Sequence, residues 1–241
     1  MSAAHRLLTF GTSNRKLVGR STATFALPAG FTCPGALECL SRFDRTDNKV
    51  VDGKNLRYRC YAASLEALRP NVRASVDRNF RLLKEAGSED GMSELIRWSL
   101  PGVFWKRIRI HTHGDFFSAP YFRAWCKAAE AEPSRTFYAY TKNLPVWAAN
   151  KEAVPDNLIL TASAGGRWDA LIAEHGFRQA VVVFHPEEAA ARGLEIDHDD
   201  SHACERGPDF ALLLHGTQPK GSAASAALRR MDKENIKFSY S

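Results

Sequence analysis

From Arg107 onward the chain repeats one unit: a short apolar run rich in β-branched and aromatic residues, then a stretch of helical spacing. Arg107-Ile108-Arg109-Ile110-His111 precedes a helix expected over Tyr121–Glu132, with Ser118 as its N-cap. Thr136–Thr141 precedes Leu144–Glu152, Asn157–Ala162 precedes Trp168–His175, and Gln179–Phe184 precedes Pro186–Arg192. Phe210–Leu214 and a helix over Ser222–Met231 close the series. Strands that are apolar on both faces and alternate with helices predict an α/β fold, a mostly parallel sheet covered by helices. With a first strand over Ser21–Leu27, ended by Pro28, the count is six βα units. That falls short of a closed (βα)8 barrel and predicts a six-unit partial barrel, with a doubly wound open sheet as the structural alternative. Neither a GxGxxG turn after the first strand nor a GxxxxGK[ST] loop is present, so a Rossmann dinucleotide site and a P-loop are both unsupported.

The segment before Arg107 is less regular. Residues 1–20 read as an irregular basic arm, and residues 21–241 as one domain, a size that a single core accommodates. From Cys60 a helical pattern runs through Leu65, Leu68, Val72, Val76, Phe80 and Leu83, and a second helix is expected over Ser93–Leu100. Residues 28–60 form a loop with a charged excursion from Arg42 to Lys54. No apolar run reaches the roughly 20 residues needed to span a bilayer. Met1–Phe10 holds too short an apolar segment for a signal peptide, so the thiols are expected in a reducing cytoplasm. The net charge of +6 is compatible with a nucleic-acid or nucleotide substrate, although many basic residues lie on helix faces that solvent explains equally well.

Five cysteines occur, and three of them, Cys33, Cys39 and Cys60, fall in the 28–60 loop with the spacing C-x5-C-x20-C. Thiolates gathered from a loop and the start of a helix are a common way to hold zinc or an iron–sulfur cluster. Cys126 falls inside a helix and reads as packing. In parallel α/β folds, ligands bind at the carboxyl ends of strands. Those ends carry His111-Thr112-His113-Gly114-Asp115, Tyr140-Thr141-Lys142, Ser163-Ala164-Gly165-Gly166, His185 and His215-Gly216, while the cysteine loop hangs from the first strand. Gly114 also suits a tight turn, and Asp115 also suits a cap for the helix near Ser118. Lys142 suits an anionic ligand, and Ser163 with Gly165-Gly166 allows close backbone approach. His198-Asp199-Asp200-Ser201-His202-Ala203-Cys204 has the composition of a metal site but reads better as a polar loop.

Leu27-Pro28-Ala29-Gly30 through Cys33-Pro34-Gly35, Cys60-Tyr61-Ala62, Arg109-Ile110-His111, Gly114-Asp115-Phe116 and Tyr140-Thr141-Lys142 together resemble the phage gene product 88 family, over about residues 10–216. The order of motifs is in turn similar to a radical-SAM-like family, in which a Cys-Tyr-Ala segment, a Leu-Thr-Lys strand end and an Asn-x5-Ser strand end follow one another; here the last is Asn157 to Ser163. This second resemblance implies a partial barrel with a [4Fe–4S] cluster held by Cys33, Cys39 and Cys60. One iron would stay open to the amino and carboxylate groups of S-adenosylmethionine. It further implies that Gly114-Asp115 faces the methionine amine and that Lys142 and Ser163 serve its carboxylate or ribose. The spacing differs from the C-x3-C-x2-C usual in such enzymes, and only Cys204 precedes the final His215-Gly216.

The leading expectation is therefore a phage-type metalloenzyme using an iron–sulfur cluster and S-adenosylmethionine on nucleic acid or a nucleotide, with Asp115 and Lys142 as catalytic candidates. Two other readings stay open. One is a zinc-stabilised barrel transferase or base-exchange enzyme acting on nucleic acid, with Asp115 as nucleophile. The other is a non-catalytic, zinc-stabilised nucleic-acid-binding protein.

Overall fold

The structure is a computed structural model and describes residues 7–14, 17 and 21–236. Its centre is a sheet of seven strands among the described residues, in the order β1-β4-β5-β6-β7-β9-β8. The strands are β1 (Thr22–Ala26), β4 (Arg107–His113), β5 (Thr136–Thr141), β6 (Leu158–Ser163), β7 (Gln179–Val183), β8 (Glu195–Ile196) and β9 (Phe210–Leu213). Every pairing is parallel. From β1 through β9 each new sheet strand but the short β8 is laid beside its predecessor in one direction. A doubly wound sheet would reverse that order, so the alternative of an open doubly wound fold is set aside. Right-handed crossovers with no reversal put the connecting helices on one face. The hydrogen bonds do not close a ring, and β1 and β8 form the two edges.

Alternation along the strands follows from this. On β5, Phe137 and Ala139 join the core under the helices, while Tyr138 and Tyr140 face a second cluster with Ala180, Cys204 and Phe210. The helix-side core is filled by α2 (Pro70–Ala86), α3 (Glu89–Ser99) and α4 (Ala119–Glu130), through Leu83, Ile96, Tyr121, Phe122 and Trp125. Helices α5 (Leu144–Ala149) and α6 (Ala170–His175) cover β6, and α7 (Pro186–Ala191) and α8 (Ala223–Lys233) cover β7 and β9. Serines start three of these helices: Ser88, Ser118 and Ser222 each accept a backbone N–H from the first turn.

Three expectations change. The helical pattern from Cys60 to Leu83 is two helices, α1 (Tyr61–Leu68) and α2, because Pro70 lacks an amide hydrogen and sits at the first position of α2. The charged excursion is an antiparallel hairpin, β2 (Ser41–Asp44) with β3 (Lys49–Asp52), turned by Asn48 at φ 52°. The helix expected from Ser93 begins at Glu89. Of the expected irregular arm, residues 1–6, 15–16 and 18–20 lie outside the described residues. Residues 8–11 lie against the domain: the Leu8 amide donates to Ser99 Oγ at 2.8 Å, Thr9 pairs with the Asn79 amide, and Gly11 bridges Thr24. Among the described residues no helix is long and apolar enough to cross a membrane.

Candidate functional site

A cavity of ≈ 190 Å³ opens at the carboxyl ends of the strands, and Cys33, Cys39, Cys60, Gly114, Asp115, Lys142 and Ser163 all line it. The sequence thus selected residues from four separate segments that the fold brings to one place. All five cysteines are free thiols, and the three at the cavity are half-buried. Cys126 is buried in the helix-side core, and Cys204 packs beside Phe210 on the other face of the sheet.

The cysteine loop is fastened to the strand ends by its backbone. Gly35 lies so close to the Lys142 carbonyl that no side chain fits between them. The Arg167 amide donates to the Gly35 carbonyl at 2.9 Å, the Glu38 amide to the Gly165 carbonyl at 3.1 Å, and Ala36 bridges Gly166. The base of the loop is held by Glu66 of α1, whose buried carboxylate accepts from the Ala29 amide at 2.7 Å and from Arg45 at 2.8 Å. Tyr61, the first residue of helix α1, links the ends of β4 and β9. The Tyr61 hydroxyl donates to the Thr112 carbonyl, its ring lies 4.6 Å from that of His215, and Gln218 exchanges hydrogen bonds with the Arg59 backbone.

Asp115 does not cap α4; Ser118 does. Its carboxylate instead ties β4 to β5, accepting from the Phe116 amide at 2.7 Å, Thr141 Oγ1 at 2.6 Å and the Lys142 amide at 2.8 Å. Burial raises its pKa to about 6, against the pull of those three donors. Gly114, at φ 79°, is pressed against Thr32 and Leu27, so the turn into Asp115 requires glycine. Lys142 Nζ donates to the carbonyls of Ser163 and Ala164, which bound the end of β6. An ammonium has three N–H groups, so one remains for an anion. Burial pushes the Cys33 thiol well up, with the Asp115 and Cys60 charges adding to it, and pushes Cys60 up to about 12. Cys39 is raised by burial and partly relieved by Lys142.

The two histidines of β4 have different surroundings. His111 adopts φ 63°, where the β1–β4 register shifts, and its Nε2 meets the Tyr121 hydroxyl at 2.9 Å among Phe25 and Phe116. Burial lowers its pKa to about 3, so it is a neutral core residue. His113 lines the cavity, its ring 5.6 Å from that of Tyr61. The 198–204 segment is a packed loop. Asp200 pairs with Arg109 at 2.7 Å and accepts from the Tyr138 hydroxyl at 2.8 Å, and Asp197 accepts from the Ala203 amide. Asn157 binds the carbonyls of Ala129, Glu132 and Arg135 at the other end of the sheet, a clamp on the α4–β5 turn. Tyr138, which builds the cavity's surroundings, gave no sequence signal, because it acts through Asp200, 62 residues away in the chain.

Fold and site together define an all-parallel α/β protein with a cysteine-lined cavity at the carboxyl ends of its strands. A family profile described as gene product 88 matches residues 2–233, and the chain belongs to that family. It is 30% identical over 132 residues to the Gene 88 protein of Mycobacterium phage L5, and 28% identical over 128 residues to that of Mycobacterium phage D29. Each match covers 49% of this chain and 47% of the relative, so the chain spans about half the length of the curated relatives it matches. No solved structure matches.

Proposed function

We propose that the protein is a metalloenzyme of radical-SAM-like architecture, in which Cys33, Cys39 and Cys60 hold an iron–sulfur cluster and S-adenosylmethionine binds beside Gly114, Asp115, Lys142 and Ser163. The observation that carries this reading is their convergence: three thiols, a buried carboxylate and an ammonium with one donor to spare line one cavity at the strand ends. Three thiols lining one cavity are the number of protein ligands such a cluster needs. Among the described residues no three His, Cys, Asp or Glu side chains are grouped to hold one ion, whereas a cluster takes each thiolate on a different iron. Three thiolates also leave one iron available to a cofactor.

When bound, a cluster of this kind supplies one electron for reductive cleavage of S-adenosylmethionine. The chain's own residues do the rest. Lys142 directs its remaining N–H at the cofactor carboxylate, with its other two donors anchored on β6. Asp115, engaged by three donors, acts as a positioning residue that fixes the Thr141-Lys142 strand end; that occupancy leaves little nucleophilic capacity. Val182, Leu212 and Leu214 present an apolar wall that excludes water from the cavity. Nucleic acid or a nucleotide is the proposed substrate, consistent with the +6 charge.

Anaerobic purification tests the proposal. The protein should be brown, with iron and acid-labile sulfide in comparable amounts. Cys33→Ser, Cys39→Ser and Cys60→Ser should each lose most of the iron, while Cys126→Ser and Cys204→Ser retain it. Colourless protein that carries zinc and refuses iron would refute the reading.

A further inference from the structure

Part of the cavity's lining is not accounted for by the cofactor residues. His113 stands at the end of β4 next to Gly114, Tyr61 follows Cys60, and with His215, Val182, Leu212 and Leu214 they make up this remaining wall. Among the described residues this wall carries no unpaired charge. Arg109 is held by Asp200, and Arg59 by Asp52. It does carry unused hydrogen-bonding capacity. His113 is 7% exposed and its Nδ1 has no hydrogen-bond partner among the described residues; Ser41 is 1% exposed and its Oγ has none either. Buried polar atoms normally find partners, so these orphans, with His111 Nδ1 a third in the same lining, mark the place of a ligand.

The chemistry of the wall selects that ligand. The rings of Tyr61 and His215 lie 4.6 Å apart and tilted by 39°, and Tyr61 meets His113 edge-on at 5.6 Å, so aromatic surface lines the cavity together with the aliphatic Val182, Leu212 and Leu214. Such a slot takes a flat ring. The absence of a free charge selects an uncharged one. An imidazole and a hydroxyl, each able to donate or accept, suit a ring edge that carries both donors and acceptors. The geometry points to a substrate subsite for a neutral heteroaromatic ring of nucleobase type within the same cavity, with His113 as its hydrogen-bonding partner. Burial, with the Arg109 charge adding to it, lowers the His113 pKa to about 4, so the ring is neutral at physiological pH and can play either role. A base reaching this depth must leave its stack, as in enzymes that act on extruded nucleotides. The subsite rests on the proposed function for the identity of its neighbour in the cavity, and on its own lining for its chemistry.

The test is equilibrium binding of adenosine, guanosine, cytidine and thymidine to the full chain, followed by calorimetry and by the 15N resonances of the His113 imidazole. At least one nucleoside should bind, shift the His113 signals, and bind undiminished in the presence of saturating S-adenosylmethionine. His113→Phe keeps the ring packing against Tyr61 and should weaken that nucleoside about three- to tenfold, the worth of one neutral hydrogen bond. Ser41→Ala provides a second variant should the first fail to fold. If all four nucleosides fail to bind at millimolar concentration, or if neither variant weakens binding, the subsite is wrong, whatever metal the protein carries. Displacement of the nucleoside by S-adenosylmethionine would overturn its assignment to substrate. Zinc in place of iron would sink the proposed function while leaving the nucleoside titration to stand or fall alone.

Discussion

Adding one methyl group at Gly35 should detach the cysteine loop. A Cβ there would overlap the carbonyl carbon and oxygen of Lys142 and lie 2.9 Å from Lys142 Cβ. The obstacle is backbone at the end of a central strand, held from behind by the Lys142 amide's bond to Asp115, so β5 cannot retreat. The loop must move instead. Moving it breaks the Arg167–Gly35 and Glu38–Gly165 backbone hydrogen bonds, each worth about 1 kcal/mol net. Overpacking where neighbours cannot yield costs about 1–3 kcal/mol. Gly35→Ala is therefore expected to lose about 2–3 kcal/mol, a fall in Tm of roughly 4–12 °C for a chain of this size. Thermal denaturation measures the loss, and hydrogen exchange at the Glu38 and Arg167 amides shows whether the loop has come away. Gly207→Ala is the control, since nothing lies within 4 Å of a Cβ placed there. A Gly35→Ala protein that melts with the control and keeps those amides protected would refute the docking of the loop on Lys142.

Three other substitutions probe the supports of the site. Arg109→Ala leaves Asp200 charged and buried, and should cost about 3–5 kcal/mol by urea denaturation; Arg109→Leu with Asp200→Leu should recover part of it. Glu66→Ala removes the acceptor of the Ala29 amide and the partner of Arg45, and should destabilise the protein by about 3 kcal/mol or more, read in the same way. His111 has its pKa depressed to about 3, so its contribution is fully present above the unfolded value near 6.5 and is lost as pH falls toward 3. Between pH 6.5 and 5 the wild type should lose on the order of 2 kcal/mol more than His111→Asn, which tolerates the positive φ. Equal losses would show that His111 is not held neutral.

The parallel sheet was legible because Gln179–Phe184 and Phe210–Leu214 are apolar on both faces, a pattern that only a strand covered on both sides requires. The hairpin at 41–52 was hidden by its charges: Arg42 and Lys49 are exposed and only one face packs, so the segment looks like loop. The break at Pro70 was readable and overlooked, since the apolar spacing happens to continue across it. At the site, Cys33, Asp115 and Lys142 could be picked out because each stands at a predicted strand end or glycine turn. What Asp115 does there could not be read. Its three donors come from a neighbouring residue and from a strand 26 residues away, and no local pattern encodes that. The bulge at His111 was equally invisible, and it turns the His111 ring onto Tyr121.

Why the site gathers on one end of the sheet follows from the winding. Because the main strands are added in one direction, every βα turn emerges on the same edge, and the ends of β4, β5, β6 and β9 meet at a common mouth. The ends of β4 and β9 are linked there by Tyr61 of α1, pressed so closely on Gly216 that a Cβ at that position would lie 2.6 Å from Tyr61 Cβ. Cys60 is the N-cap of that same helix. One short element thus joins two strand ends, carries the third thiol and supplies the aromatic wall. Gly216→Ala, at φ 81° and against Tyr61, should therefore disturb two properties at once: retention of iron through Cys60, and nucleoside binding through Tyr61. Metal analysis and titration of the same preparation check this. Loss of one property with the other intact would mean that α1 does not couple the two.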